Sequence, residues 1–215
     1  MKKYIIFDFD GTVINTNDVV IASWQEAFRT YLGHEIPESE IVKTFGETLW
    51  TTLDRVMPGC DQDAVVKCYR DYQSAHADEL VKECEGVKEL LKELVKRGYK
   101  LAIATSRAKA TYQEYADRFD LNPYFDVVVA MEDVTHHKPH PETVTTALER
   151  LGAKPEEALM LGDTRFDIIC SSNAGVESVF VGWSMTRIED VEAAGCKPTY
   201  FIDKPMDLLN IITEK

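Results

Sequence analysis

From Gly86 onward, apolar residues in this chain recur in two alternating rhythms. Residues 87–97 place Val87, Leu90, Leu91, Leu94 and Val95 at helical spacing and stop at Gly98, a residue type suited to ending a helix. The apolar run 101–104 then predicts a strand, and the pair repeats: helix 109–119, strand 125–130, helix 141–151 closing at Gly152. Strand 158–161, helix 166–173 ending before Gly175 and strand 178–181 follow, then a final helix, strand 200–202 and helix. Tyr4, Ile5, Ile6 and Phe7 predict one more strand near the start. Short buried strands separated by amphipathic helices predict an α/β fold, a Rossmann-like three-layer core whose mostly parallel sheet is covered on both faces.

Residues 15–85 break this rhythm. They contain no strand-like run and four helical ones, at 18–32, 38–44, 49–56 and 61–82. By length this is a small subdomain, so the predicted division is an α/β core of residues 1–14 and 86–215 with a helical cap, residues 15–85, inserted after the first strand. Trp24, Phe28 and Leu32 share a helical stripe and are expected to pack inside the cap. The chain crosses between the two units at 14–16 and 83–86, the expected hinge segments.

Composition narrows the function. With 24 basic and 37 acidic residues the formal net charge is -13, which disfavours nucleic acid and anionic membranes as partners. An anionic substrate would need local attraction from a metal and a few placed cations. The first apolar run stops at Asp8, too short for a signal-peptide core, and no stretch approaches a membrane span. The five cysteines are odd in number and lack metal-ligand spacing, which predicts reduced thiols and a cytoplasmic protein.

The richest chemistry lies in Asp8-Phe9-Asp10-Gly11-Thr12. Side chains two apart on a strand share a face, so Asp8 and Asp10 are expected close together at its carboxyl end. Their repulsion must be offset by a cation or a shared proton. Gly11 permits a sharp turn, and Thr12 offers a hydroxyl beside the acids. Ligands of open parallel sheets gather at strand carboxyl ends. There the sequence sets Thr105, Ser106 and Arg107; the loop His136, His137, Lys138, Pro139, His140; and Gly162, Asp163, Thr164 with Asp167 a turn later. Clustered carboxylates suit magnesium, and hydroxyls with a lysine complete a phosphate cradle. Asp163 could cap the following helix, instead of or as well as serving the site. Arg107 either touches substrate or begins a helix. The three histidines match no zinc spacing and are expected in a solvated loop.

In these four segments, taken in order and spacing, the chain resembles the haloacid dehalogenase superfamily of aspartate-nucleophile phosphatases. The helical insert resembles the cap of its phosphoglycolate phosphatase and β-phosphoglucomutase branch. The resemblance implies a hydrolase with Asp8 as nucleophile, Asp10 as general acid and base, and Mg2+ held by Asp8, the Asp10 carbonyl and Asp163. It implies phosphoryl binding by Thr105, Ser106 and Lys138, with Asp167 and Thr12 behind them. A cap closing over the site would set specificity through residues 44–48, notably Gly46 and Glu47.

The implied substrate is a small phosphorylated metabolite, with pyrophosphate or phosphoglycolate favoured. Three alternatives stand beside it. A β-phosphoglucomutase would need an arginine where Phe45-Gly46-Glu47-Thr48 stands. A phosphonate hydrolase would need a cap lysine, for which Lys43 is the nearby candidate. A non-catalytic phosphate-binding module would usually lack the nucleophile or the metal acid. Oligomeric state stays open, and a monomer is compatible with the sequence.

Overall fold

The computed structural model describes residues 2–213. Strand β1 (Tyr4–Phe7) leads through β2 (Ile14–Asn15) into four helices: α1 (Asn17–Leu32), α2 (Glu38–Val42), α3 (Leu49–Val56) and α4 (Gln62–Leu80). The chain returns through β3 (Lys82–Glu83). It then alternates α5 (Val87–Lys96), β4 (Lys100–Ala104), α6 (Lys109–Arg118), β5 (Val127–Val129), α7 (Glu142–Leu151) and β6 (Ala158–Gly162). The last elements are α8 (Arg165–Asn173), β7 (Glu177–Val181), α9 (Ile188–Ala193), β8 (Tyr200–Ile202) and α10 (Leu208–Thr213).

Six strands form one parallel sheet in the order β5-β4-β1-β6-β7-β8. The period-two alternation of each strand sends its apolar residues to both faces. Ile5, Phe7, Leu101, Ile103, Leu159 and Leu161 pack against Leu90, Leu91 and Leu94 of α5 and Tyr112 and Tyr115 of α6. Ile6, Ala102, Ala104 and Met160 face Val144, Ala147 and Leu148 of α7. Helices therefore cover both sides, as the alternating pattern predicts, and the polar residues after each strand collect at one edge.

The four inserted helices have a core of their own, built from Trp24, Ala27, Phe28, Ile41, Leu53, Val65 and Tyr69. Leu32 is exposed, against expectation, because it is the last residue of α1 before the left-handed Gly33 and sits past the packed turns. The insert is also not free of strands. Ile14 and Asn15 pair antiparallel with Glu83 and Lys82, which ties the two chain crossings side by side. Two-residue strands are too short to show a periodicity, and Lys82 and Glu83 are exposed and polar, so no local signal announces them. Strand β5 is shorter than residues 125–130, since Tyr124 closes a 3-10 turn before it and Met131 opens another after it. Among the described residues, no helix is long and apolar enough to cross a membrane.

Phe9, between the two leading aspartates, is fully buried with its ring 4.7 Å from that of Tyr112. It anchors the loop that carries both acids to the sheet. Phe9→Ala is expected to lower the unfolding free energy by about 3–5 kcal/mol in urea titration. A loss below about 1 kcal/mol would overturn this anchoring account.

Candidate active site

Strands β1 and β6 are neighbours, so Asp8 and Asp163 emerge side by side from the sheet edge. Asp8 continues the ladder, its backbone N–H donating to Leu161 O at 2.8 Å. Gly11, at φ +75°, turns the chain so tightly that a Cβ there would lie 2.2 Å from Asp163 Oδ2. Only glycine allows both the turn and the close approach. From the loop after β5, Lys138 reaches in with its Nζ donating to Asp8 Oδ1 at 2.7 Å and to Asp167 Oδ1 at 2.6 Å. The other Asp167 oxygen accepts from the backbone N–H and hydroxyl of Thr164, which is the N-cap of α8. Asp163 is thus not the cap of that helix.

Asp8, Asp163, Asp167 and Lys138 are all buried. Burial raises the pKa of Asp8, and the neighbouring Asp167 and Asp10 carboxylates push it the same way, against the pull of Lys138. Asp163 is raised by burial and by Asp8 and Asp167. Burial opposes charge on Lys138 too, but Asp167 and Asp8 outweigh it and keep the ammonium protonated. When all three are ionised, three carboxylates facing one ammonium leave a negative charge uncompensated. The Asp163 Oδ1 atom is buried without a hydrogen-bond partner, while Oδ2 accepts from the Ser184 hydroxyl at 3.0 Å. Oxygens of Asp8, Asp163 and Asp167 lie within 4.8 Å of one another. An orphaned carboxylate oxygen within an acidic, all-oxygen cluster fits a hard divalent cation.

Asp10 has a different environment from Asp8. Its Oδ2 accepts from Arg107 Nε at 2.9 Å, its Oδ1 is also bonded by the guanidinium, and the Thr16 hydroxyl donates to Oδ1 at 2.7 Å. Burial alone would raise this carboxyl, but Arg107 and Thr16 hold it below the usual carboxylate range. The carboxylates of the two leading acids therefore take different side-chain partners. Each has its own cation, Lys138 for Asp8 and Arg107 for Asp10. Thr16 occupies the N-cap position of α1, yet its hydroxyl serves Asp10 rather than the helix.

Thr105 is buried, its Oγ1 accepting from the Arg107 backbone N–H at 3.0 Å. Ser106 donates from Oγ to Gly46 O at 2.9 Å, joining the sheet edge to the loop between α2 and α3. Thr105, Ser106, Asp8 and Asp163 line one cavity together with Gly46, Glu47 and Arg107. The Glu47 carboxylate is already engaged by Arg55 at 2.7 Å and by the Thr52 hydroxyl at 2.9 Å. Thr12 is buried with its hydroxyl unpartnered, while its carbonyl accepts from Trp183 Nε1 at 3.1 Å.

Several contributors escaped the sequence reading. Ser184 follows β7, where the strand-end rule would have found it. Arg70 and Tyr69 on α4 line the cavity from the helical unit and carry no sequence mark, and Trp24 both packs the helical core and lines the cavity. Lys43 lies outside the cavity lining, exposed and paired with Glu40. His136 and His140 stand exposed beside Glu142, with His136 Nδ1 2.8 Å from its carboxylate. Their potential ligand atoms also lie within 4.8 Å of one another, a grouping without His137.

The sequence profile of the haloacid dehalogenase-like hydrolases matches residues 5–181. The pyrophosphatase PpaX of Bacillus mycoides (strain KBAB4) is 40% identical over 209 residues, covering 97% of this chain and 96% of its own. A hydrolase from Pseudomonas syringae superposes with a TM-score of 0.83 at 25% identity, covering 99% of each chain. A predicted phosphoglycolate phosphatase from Haemophilus somnus 129pt shares the fold with a TM-score of 0.81 at 21% identity, covering 98% of each. The cluster at the sheet edge is thus carried by a chain that belongs to the haloacid dehalogenase-like hydrolases.

Proposed function

We propose that this chain is a magnesium-dependent phosphohydrolase acting through an aspartyl-phosphate on a small phosphorylated metabolite, with pyrophosphate and phosphoglycolate the first candidates. The observation that carries this reading is the buried group of Asp8, Asp163 and Asp167 around Lys138, with Asp163 Oδ1 unpartnered. Asp8, Asp163 and the Asp10 carbonyl would hold magnesium, which when bound neutralises charge on the phosphoryl oxygens and the carboxylates.

In the first displacement an Asp8 oxygen forms a bond to phosphorus as the bond to the leaving oxygen breaks. Asp10 gives that oxygen a proton, then takes one from the water that hydrolyses the aspartyl-phosphate. Lys138 keeps Asp8 oriented and offsets its repulsion of the incoming anion. The Thr105 hydroxyl and the Ser106 backbone amide supply donors to the transferring phosphoryl group. As paired with Arg107, Asp10 is poised as a base, and donating a proton requires that pair to open. A phosphate leaving group needs that proton less than an alkoxide does, which favours an anhydride such as pyrophosphate.

The name of the PpaX relative points the same way. A phosphomutase reading has less support, since residues 45–48 offer no arginine. A phosphonate hydrolase is disfavoured by the exposed position of Lys43. A non-catalytic module would not need to retain both Asp8 and Asp163.

Asp8→Asn should abolish hydrolysis of an aryl phosphate while leaving the circular dichroism spectrum and melting temperature near wild type; retained turnover would sink the nucleophile assignment. Chelating magnesium should stop turnover, and calcium should fail to restore it because its larger, looser shell does not hold in-line geometry. Full rates in calcium would refute the proposed ligand set. Lys138→Ala should cut kcat by at least about 100-fold, and near wild-type kcat would assign its role to another cation.

A further inference from the structure

Five described lysines and arginines are buried or partly buried, and four are matched by acids, Lys88 by Glu83 among them. Lys2 pairs with Glu177, Lys138 with Asp8 and Asp167, and Arg107 with Asp10. Arg70 is the exception: among the described residues it makes no ion pair, although the chain carries a net charge of -13. Its Nη1 donates to Gln73 Oε1 at 2.9 Å, and its guanidinium lies 5.8 Å from the Tyr69 ring. Burial, together with the charge of Arg107, holds its pKa below the ordinary value against the opposing pull of Tyr69 and the Asp10 carboxylate. A half-buried guanidinium with no directly paired carboxylate is costly, and a ligand anion would offset that cost.

Arg107 approaches the same cavity from the end of β4. Its Nε and Nη2 are committed to Asp10, but Nη1 is buried without a hydrogen-bond partner, and the side chain is only 5% exposed. Of the cavity acids, Asp10 is engaged by Arg107, Glu47 by Arg55 and Asp8 by Lys138, while Asp163 keeps an unpartnered oxygen but, among the described residues, forms no ion pair with either arginine. Two guanidiniums from separate parts of the chain thus line the cavity that also contains Asp8, repelling each other and each retaining unused donors.

We propose that Arg70 and Arg107 form a second anion subsite, which takes an anionic group on the leaving side of the substrate. The inference rests on the phosphohydrolase reading and sharpens its substrate class: a small phosphoryl compound with a second anionic end. Both carboxylates and phosphates match the guanidinium fork, so the second end can be either. Neutral leaving groups such as sugars and simple alcohols leave the two arginines unanswered.

Arg70 is the cleaner probe, because removing Arg107 would also disturb Asp10. Initial rates with magnesium should be compared for pyrophosphate, phosphoglycolate and 2-hydroxyethyl phosphate, which resembles phosphoglycolate but lacks its second charge. Arg70→Gln should lower the ratio of kcat/KM for either bis-anion to that for 2-hydroxyethyl phosphate by roughly tenfold or more, mainly through KM. Arg70→Lys should recover part of that ratio, as charge without the fork predicts. Which bis-anion falls further identifies the second end as phosphate or carboxylate, and a fall in either supports the subsite. A ratio unchanged for both would overturn it.

Calorimetry with hydrolysis-inert methylenediphosphonate and methylphosphonate decides the matter independently of turnover. Wild type should prefer the bis-anion by roughly tenfold, and Arg70→Gln should lose that preference. Equal preference in both proteins would again overturn the subsite. Failure to hydrolyse any phosphoryl compound would overturn the phosphohydrolase reading, with the calorimetric result still deciding the subsite.

Discussion

Lys138 sits between Asp8 and Asp167 with almost no exposure of its ammonium group, and the rest of the sheet edge is arranged around that contact. Three carboxylates are drawn together there although each raises the cost of ionising the others. One lysine cannot balance them, so the group remains short of positive charge. The strand order makes the arrangement possible: β1 and β6 are direct neighbours, and the loop after β5 swings Lys138 across to both. Hydrophobic faces above and below hold the strands, so a charge-deficient cluster survives because the scaffold is stable without it.

Asp8 and Asp10 illustrate how one local sequence yields two chemistries. They are separated by a single buried phenylalanine, yet one is held by a lysine and raised by burial while the other is gripped by an arginine and lowered. Environments that push two carboxyls apart allow them to play different parts in proton and phosphoryl transfer. The asymmetry comes from what arrives opposite each: the loop after β5 on one side, and the end of β4 with the start of α1 on the other.

The sheet and its helices were readable because each relies on a local apolar period, and the rule that ligands gather at strand ends anticipated that Asp8, Thr105, Lys138 and Asp163 would come to one sheet edge. What stayed hidden depends on contacts between distant segments. The bidentate hold of Arg107 on Asp10 spans 97 positions, and nothing around Arg107 distinguishes it from a residue opening α6. Arg70 lies on a helix whose neighbours give no sign that it turns toward a cavity. The paired Ile14–Asn15 and Lys82–Glu83 segments become strands only because both chain crossings meet. Leu32 failed for a simpler reason: a helical stripe says which residues share a face, not how far along the helix the packing extends.

The Gly46 loop carries a consequence for how such a protein can diversify. Gly46 adopts φ +89°, and a Cβ there would stand 2.6 Å from Thr164 Oγ1 and 2.9 Å from the Phe166 ring, while its carbonyl receives the Ser106 hydroxyl. The middle of a loop that borders the cavity is therefore dictated by the sheet edge beneath it. New selectivity would have to be written on either side, at Phe45 and Glu47, or on the facing helix α4. A library that randomises the whole loop would spend most of its variants on chains that no longer seat against the core.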